Sequence, residues 1–326
     1  EGLRETELSA SDIILETISR NTAPAITVAA LRVSSFNSDG IILVMPSDQV
    51  IPNSQEFTKA VLAARTLASQ GMIVTFGVVP TRPESGYGYI KRGAPVVSGF
   101  RVDQFVEKPE RSTAKVYFSS GDYFWNSGMF VFRASVYLQS LKTHAPEIYA
   151  ACEIASGKLA SDLDFVRIER DAFESCPSES IDYAVMEKTD LAAMVTLDAG
   201  WSDIGSYESL WENLEQDASA NVLEGDVMAY DTTASFVFAE SRLVATIGVN
   251  NLTIVETPDA VLVADKGKSQ EVKQIVQDLA DRGRSKHDEH QRVYRPWGFY
   301  ESVSEGDRFQ VKHIQGKPGA ALSLQK

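Results

Sequence analysis

Residues 72–90, MIVTFGVVPTRPESGYGYI, decide the predicted fold because an apolar run leads directly into a glycine-rich turn. The run 72–79 is typical of a strand that is buried on both faces of a sheet. Two glycines alternate with two tyrosines in the turn that follows. Glycine lets a backbone come close to a small polar ligand, which the tyrosine rings would enclose. An ordinary turn before a strand is the alternative interpretation.

A second buried strand is predicted over residues 41–45, where apolar residues follow one another without interruption. Ser54 is expected to cap a helix that ends at Gly71. The apolar side chains of this helix recur at helical spacing, at Phe57, Val61, Ala64 and Ala68. Strand, helix and strand in this order form a βαβ unit, so the sequence predicts an α/β fold.

The pattern changes near Ala218. Residues 221–265 contain short apolar runs with a spacing of about ten residues, which favours a meander or the coils of a β-helix. A single apolar helix stripe and an all-polar stretch follow, and then a new strand-rich segment. The predicted divisions are an α/β domain at 1–217, a β-rich domain at 218–283, a linker at 284–292 and a third segment at 293–326.

The chain has 326 residues, of which 44% are hydrophobic, and a formal net charge of −14. This charge repels nucleic acid and anionic membranes, so neither is expected as a partner, and a phosphate-bearing substrate would need a local cationic pocket. The sequence shows neither an apolar stretch of transmembrane length nor a signal peptide. Together with only two cysteines, Cys152 and Cys176, these features predict a cytoplasmic protein with reduced thiols.

Two aspartates are candidate metal ligands. Asp48 comes just after the predicted strand at 41–45, and ligands in open α/β sheets bind at the carboxyl ends of strands. Asp203 lies in a glycine-flanked loop that enters a helix. Two carboxylates that converge on one site suit Mg²⁺, which also binds substrate phosphate oxygens. The alternatives are a turn residue for Asp48 and a residue ahead of a helix N-terminus for Asp203.

Three other segments carry ligand chemistry. Glu107 and Lys108 stand at a strand end before a proline, where the carboxylate could accept sugar hydroxyls and the ammonium could neutralise a phosphate. A solvated ion pair is the alternative. Asn126 could both donate to and accept from sugar hydroxyls. Arg20 and Asn21 precede a small-residue helix whose N-terminus could face a phosphate, although Asn21 or the next residue could simply cap it.

Taken together, these segments resemble the mannose-1-phosphate guanylyltransferase family. The chain is similar in particular to the bacterial bifunctional form, which is fused to a type II mannose-6-phosphate isomerase. The matching motifs stand in the family's order, at residues 20–24, 46–48, 81–90, 105–109, 125–130, 180–188 and 200–206. Residues 293–325, with the motif 294–298 and Lys312, resemble the start of that isomerase's cupin domain.

The resemblance implies a Rossmann-related, GT-A-like nucleotidyltransferase with a mixed sheet, then a left-handed β-helix-like segment and the start of a cupin domain. It implies transfer of GMP from GTP to mannose 1-phosphate, with Mg²⁺ or another divalent cation. Asp48 and Asp203 would bind the metal, and Lys108 the sugar phosphate; these three are the expected catalytic residues. The implied substrate-binding residues are Arg20, Asn21, Gly86, Tyr87, Glu107, Asn126, Asp182, Glu187 and Lys188.

Both ends are expected to be cuts through a longer polypeptide. The family's glycine-rich phosphate loop is expected upstream of Glu1 and the cupin's metal ligands downstream of Gln325, so residues 1–326 alone are expected to be inactive. Where the family tends to have histidine after the first metal aspartate, this chain has Gln49. A sugar-phosphate-binding regulator, another sugar-1-phosphate nucleotidyltransferase and an assembly module remain alternatives. A homodimer is also predicted, in which bare strand edges of the β-rich domain pair.

Overall fold

The computed structural model describes residues 10–157, 160–162, 165–282, 292–295, 297–306 and 308–319. The chain divides into two compact units, Glu1–Asp203 and Ile204–Lys326. Almost all of the predicted linker 284–292 lies outside the described residues, as does the polar start of the chain. The predicted domain boundaries stay predictions.

The described part of the first unit contains a six-stranded main sheet, a three-stranded sheet and several helices. Its strands are β1 (Ile13–Leu15), β2 (Ile41–Val44), β3 (Ile73–Val78), β4 (Tyr89–Val96), β5 (Gly99–Val106), β6 (Tyr123–Arg133), β7 (Ala160–Asp162), β8 (Phe165–Arg167) and β9 (Ala192–Leu197). Its helices are α1 (Thr22–Phe36), α2 (Ser54–Ser69), α3 (Arg111–Ser120), α4 (Ala134–His144), α5 (Pro146–Ser156), α6 (Arg170–Ser175) and a short π-helix (Asp182–Met186).

The main sheet is mixed and has the strand order β2-β6-β3-β9-β5-β4. Strands β3 and β9 are parallel, and β6 is antiparallel to both β2 and β3. Strand β4 pairs with β5 and also with β6, so the β4–β5 hairpin curls back onto the long central strand. This pairing brings the ends of β4, β5 and β6 together.

The prediction of a buried strand is confirmed for β3, all six of whose residues are buried. Ile73 packs into one hydrophobic core, and Val74 and Phe76 pack into a second core with helix α2. The same prediction is wrong for β2, in which Ile41 and Leu43 are each 37% exposed. Within the described sheet β2 is an edge strand and pairs only with β6, so its residues alternate in exposure.

Helix α2 begins one residue earlier than its predicted cap suggests. Asn53 is the cap, because its side-chain oxygen accepts a hydrogen bond from the Glu56 amide at 3.1 Å. Ser54 is already the first helical residue. The predicted end is confirmed, since Gly71 follows the helix with a φ of +85°, a conformation that favours glycine.

The described part of the second unit combines helices with a β-helix-like sheet and a separate antiparallel sheet. Its elements are α7 (Tyr207–Asn213), β10 (Val222–Tyr230), β11 (Phe236–Ile247), β12 (Leu252–Glu256), β13 (Val261–Asp265), a 3₁₀-helix (Lys266–Glu271), α8 (Val272–Asp281), β14 (Arg292–Arg295), β15 (Gly298–Gly306) and β16 (Phe309–Gly316). Strands β10, β11 and β12 pair in parallel, which is the arrangement of β-helix coils and excludes a meander for these three strands. Strands β14, β15 and β16 form a separate antiparallel sheet.

The buried carboxylate of Glu256 links β11 to β12 in this unit. It accepts hydrogen bonds from the Ser241 hydroxyl at 2.6 Å, the Ser241 amide at 2.9 Å and the Arg242 amide at 3.1 Å. These bonds, chiefly those from Ser241, lower the pKa of Glu256 to about 2 from its ordinary 4.5. The ionised form of Glu256 is therefore the one that stabilises the fold.

We expect Glu256→Gln to lower the unfolding temperature of this unit at pH 7, because an amide cannot accept all of these hydrogen bonds. A depressed folded pKa contributes stability above the unfolded pKa, and this contribution is lost as pH falls. The difference from wild type should therefore shrink between pH 4.5 and about 2. Calorimetry at several pH values measures it, with the exposed Glu240→Gln as the matched control. Equal unfolding temperatures for the two variants at pH 7 would contradict the assignment.

Candidate active site

The loops that carry the two predicted metal ligands meet at one edge of the main sheet. Strands β2, β3 and β9 run in the same direction, so their carboxyl ends lie on the same edge. Asp48 follows β2 and Asp203 follows β9. Val50 and Ser202 join these two loops by paired backbone hydrogen bonds of 2.9 and 3.0 Å. The two aspartates therefore stand in adjacent segments.

Tyr87 belongs to the turn after β3 and reaches the same edge. Its phenol donates a hydrogen bond to Asp203 Oδ1 at 2.7 Å. Its ring packs edge-on against Trp125 and Trp201, with centroid distances of 5.1 and 5.5 Å. Burial raises the pKa of Tyr87, and the neighbouring Asp203 carboxylate raises it further, so the phenol keeps its proton.

Gln49 makes two hydrogen bonds beside Asp48, the first predicted metal ligand. Its Nε2 donates to the Ser127 carbonyl at 2.7 Å, and its Oε1 accepts from the Trp201 indole at 2.9 Å. The amide thus ties the loop of Asp48 to strand β6 and to the loop of Asp203. A neutral side chain with both a donor and an acceptor suits this position, which the sequence alone did not reveal.

The carboxylates of Glu107 and Asp182 lie close enough to interact and form a carboxylate cluster in the neighbouring part of the site. The Glu107 side chain is 9% exposed, and its Oε1 lies 3.1 Å from Lys108 Nζ. Its Oε2 is buried and has no hydrogen-bond partner among the described residues. Burial raises the pKa of Glu107, and the charge of Asp182 adds to the effect, whereas Lys108 opposes it. An orphan acceptor of this kind fits a ligand hydroxyl.

Asn126 connects this cluster to the central sheet. Its Nδ2 donates to Asp182 Oδ1 at 2.9 Å, and its Oδ1 accepts from the Thr75 hydroxyl at 2.8 Å. Burial raises the pKa of Asp182, and hydrogen bonds from Ser180 and Asn126 oppose the rise. Asn126 lies within β6, where the pairing with β3 is irregular. Thr75, whose hydroxyl orients the Asn126 amide, was not predicted as a site residue.

The glycine that makes close contact in this site is Gly88, whereas the sequence interpretation named Gly86. A Cβ atom added to Gly88 would lie 2.4 Å from Glu107 Oε2 and 3.2 Å from Asn126 Cβ. A Cβ at Gly86 would meet only Glu84 Oε1, at an ordinary 3.5 Å. The alternation of glycine and tyrosine at 86–89 was the available signal, but it did not distinguish the two glycines.

Glu187 and Lys188 lie at the rim of the carboxylate cluster, just after the π-helix. Glu187 Oε1 accepts the Glu107 backbone N–H at 3.1 Å. Lys188 Nζ is 3.9 Å from Glu179 and half-exposed. Glu187 is therefore in contact with the cluster, and substrate contacts of Glu187 and Lys188 stay predictions.

Arg20 and Asn21 have protein partners. Arg20 donates to the Glu174 carbonyl, and the Asn21 side chain accepts the Thr22 amide at 2.8 Å. The next amide of α1, that of Ala23, donates to the Glu179 carbonyl at 3.1 Å. These contacts favour the capping interpretation of this helix start over the phosphate interpretation. A direct substrate contact of either residue stays a prediction.

The donor set at the sheet edge fits a hard divalent cation. Among the described residues there is no group of three or more His, Cys, Asp or Glu side chains that could hold a metal ion. Two aspartates on adjacent loops fit Mg²⁺ nevertheless, because this ion commonly takes one or two carboxylates and completes its octahedron with water and substrate phosphate.

The fold and this site define a nucleotidyltransferase. The nucleotidyl transferase family profile matches residues 3–220, the profile of the mannose-phosphate isomerase/GMP-like β-helix domain matches 225–279, and that of the mannose-6-phosphate isomerase C-terminal domain matches 282–326. In the part of the chain that the structure describes, the helices are too short or too polar to cross a membrane.

More narrowly, the chain belongs to the mannose-1-phosphate guanylyltransferase family, which synthesises GDP-mannose from mannose 1-phosphate and GTP. It is 50% identical to the mannose-1-phosphate guanylyltransferase of Escherichia coli K12, over all of this chain and 70% of that protein. It is also 50% identical to the xanthan biosynthesis protein XanB of Xanthomonas campestris strain B100, over all of this chain and 69% of that protein. Members of this family generally use a divalent metal.

Solved structures agree with this family. A Thermus thermophilus protein described as a mannose-1-phosphate geranyltransferase is 31% identical, with a TM-score of 0.71 over 82% of this chain and 77% of that one. A Helicobacter pylori mannose-6-phosphate isomerase is 35% identical, with a TM-score of 0.56 over 61% of this chain and 77% of that one. The predicted family, domain types and enzyme class are therefore confirmed.

Proposed function

We propose that the family reaction takes place at the edge formed by the loops after β2, β3 and β9, with the mannose held by the carboxylate cluster. Asp48 and Asp203 would bind Mg²⁺ beside the phosphates, and Glu107, Asn126 and Asp182 would surround the sugar. The observation that carries this assignment is the buried Glu107 Oε2, which lacks a hydrogen-bond partner in the described part of the chain, beside the Asn126–Asp182 hydrogen bond.

The chemistry needs no protein nucleophile. Mannose 1-phosphate is already an anion near neutral pH, and one of its oxygens forms a bond to the α-phosphorus of GTP while the bond to pyrophosphate breaks. Catalysis then rests on alignment and on charge neutralisation. Mg²⁺, when bound by Asp48 and Asp203, supplies neutralisation of the phosphate charges.

The side chains of the cluster have separate tasks in this proposal. The Lys108 side chain is 62% exposed, so its ammonium group can turn away from Glu107 and toward the sugar phosphate. Glu107 Oε2 accepts a hydrogen bond from a mannose hydroxyl. Asn126 uses one of its two amide hydrogens for Asp182, which leaves the other for the sugar.

An activity assay on the full-length enzyme tests this function. With Mg²⁺, we expect GTP and mannose 1-phosphate to give GDP-mannose and pyrophosphate in equal amounts, and glucose 1-phosphate to react much more slowly. Equal rates with the two sugars would favour the more general sugar-1-phosphate nucleotidyltransferase. Binding of mannose 1-phosphate without any turnover would favour the regulatory protein.

We expect Glu107→Gln to stabilise the protein and to weaken sugar binding. Because the folded pKa of Glu107 is raised, the fold loses stability as pH rises from the ordinary 4.5 through the folded value, so the amide variant should be more stable at pH 7. The lost ion pair offsets little of this, because the Lys108 end is exposed. The KM for mannose 1-phosphate should rise by about tenfold, since an amide oxygen accepts more weakly than a carboxylate.

Thermal unfolding at pH 4 and pH 7.5 checks the first effect, and the gain should be confined to the higher pH. Steady-state kinetics check the second effect. If Glu107→Gln is less stable than wild type at pH 7.5, protein groups stabilise the Glu107 charge in the fold. Glu107 Oε2 would then not be an acceptor that is left for the sugar.

Three further predictions stay predictions: the homodimer, the cytoplasmic location and the inactivity of residues 1–326 alone.

A further inference from the structure

We infer that Tyr87 is a positioning residue for the metal site and acts through Asp203. The inference rests on the proposed function, because it takes Asp203 as a metal ligand. Tyr87 lies 116 residues from Asp203 in sequence, yet its phenol donates to Asp203 Oδ1 at 2.7 Å. A hydrogen bond to a ligating carboxylate fixes which oxygen faces the metal and holds the group against rotation.

The surroundings of Tyr87 leave its ring little freedom. Trp125 and Trp201 both pack edge-on against the ring. The turn that carries Tyr87 is tied at two further points: the Glu84 amide donates to the Tyr89 hydroxyl at 3.0 Å, and the Gly86 amide donates to Glu84 Oε1 at 3.1 Å. The phenol oxygen is therefore fixed by packing and by backbone contacts before any ligand binds.

The contacts also assign Tyr87 a different role from the one implied by the family resemblance. The Tyr87 phenol donates its hydrogen bond to Asp203, and the rings of Trp125 and Trp201 pack against the tyrosine ring. The strongest contacts of Tyr87 are therefore with the protein. A carboxylate offers about four lone-pair positions, and the phenol of Tyr87 occupies one of them at Asp203 Oδ1. Tyr87 thus pre-organises the Asp203 carboxylate, and Phe at this position would keep the packing and lose the hydrogen bond.

Direct measurement of Mn²⁺ binding tests the inference without turnover. Free Mn²⁺ is followed by electron paramagnetic resonance in the full-length protein with GDP-mannose, and a protein-free blank corrects for binding to the nucleotide. We expect Tyr87→Phe to weaken Mn²⁺ binding about tenfold, the lower end of the usual effect of a ligand's hydrogen-bond partner. The kcat of this variant should recover at high Mg²⁺, which a packing defect would not allow.

Two variants complete the design. Tyr123→Phe is the matched control, because it removes a phenol that bonds Gln104 at 3.0 Å and should leave Mn²⁺ binding unchanged. Asp203→Asn should weaken Mn²⁺ binding more than Tyr87→Phe does. If Asp203→Asn weakens it and Tyr87→Phe does not, the positioning role is wrong and the metal site stands. If Asp203→Asn also has no effect, the metal assignment in the proposed function is wrong, and the positioning role with it.

Discussion

Asp203→Ala should lower kcat of the full-length enzyme by about a thousandfold, which corresponds to about 4 kcal/mol of lost transition-state stabilisation. In the proposed function, several negative phosphate oxygens would meet where this carboxylate and Asp48 stand on adjacent loops, and a divalent cation held there would neutralise them. Asp48→Ala should have an effect of similar size. The double variant should cost little more than either single one, because groups that hold one ion act as a unit.

Asp198→Ala is the matched control for this prediction. Asp198 lies on the same segment after β9, is exposed, and should leave kcat within about twofold of wild type. Steady-state rates across a range of Mg²⁺ concentrations measure all of these variants. A loss of less than about tenfold for Asp203→Ala at saturating Mg²⁺ would contradict a metal-binding role for this residue.

Gly88→Ala should raise the KM for mannose 1-phosphate by about a hundredfold. The added methyl group displaces the Glu107 carboxylate, and a displacement of about 1 Å in a substrate-positioning group can have an effect of this size. The new methyl group would lie 2.4 Å from Glu107 Oε2, so the carboxylate must move out of its buried position. The Asn126 side chain, with its Cβ at 3.2 Å, blocks the other direction. Mn²⁺ binding should be almost unchanged, because the three atoms nearest to the added methyl group belong to Glu107 and Asn126.

Gly157→Ala is the control for this variant. A Cβ at Gly157 meets two backbone oxygens at 3.4 and 3.5 Å, which is ordinary contact. Calorimetric titration with mannose 1-phosphate measures both variants, and far-ultraviolet circular dichroism verifies that both fold. Normal sugar affinity in a folded Gly88→Ala protein would contradict the assignment of Glu107 to the sugar.

Local sequence patterns predicted an element correctly where residues that are close along the chain largely decide its structure. The largely apolar run of β3 agrees with its buried position between β6 and β9, and Gly71 can take the positive φ that ends a helix. Burial of β2 depends instead on its neighbours in the sheet, which its own residues do not encode. The cap of α2 was off by one because Asn53 and Ser54 are both good capping residues, and only geometry distinguishes them.

The candidate site was predictable as a set of motifs and not as an arrangement. The parallel strands β2 and β9 bring the loops of Asp48 and Asp203 to one edge, whereas the sequence placed only Asp48 at a strand end. Glu107 is positioned differently, because it follows β5, which runs antiparallel to β9. The pairing of Tyr89 with both Trp125 and Val106 brings β4, β5 and β6 together next to Glu107. Contacts such as that of Tyr87 with Asp203 depend on this tertiary arrangement, so spacing along the chain cannot reveal them.

A crystal structure of the full-length enzyme with Mn²⁺ and GDP-mannose tests the shared divalent site most directly. Anomalous scattering locates the Mn²⁺ ion without reference to the protein atoms. We expect one peak within about 2.5 Å of an oxygen of Asp48 and of an oxygen of Asp203, with Glu107 against the mannose hydroxyls. Carboxylates more than about 10 Å apart, or a peak bound to only one of them, would contradict a shared ion.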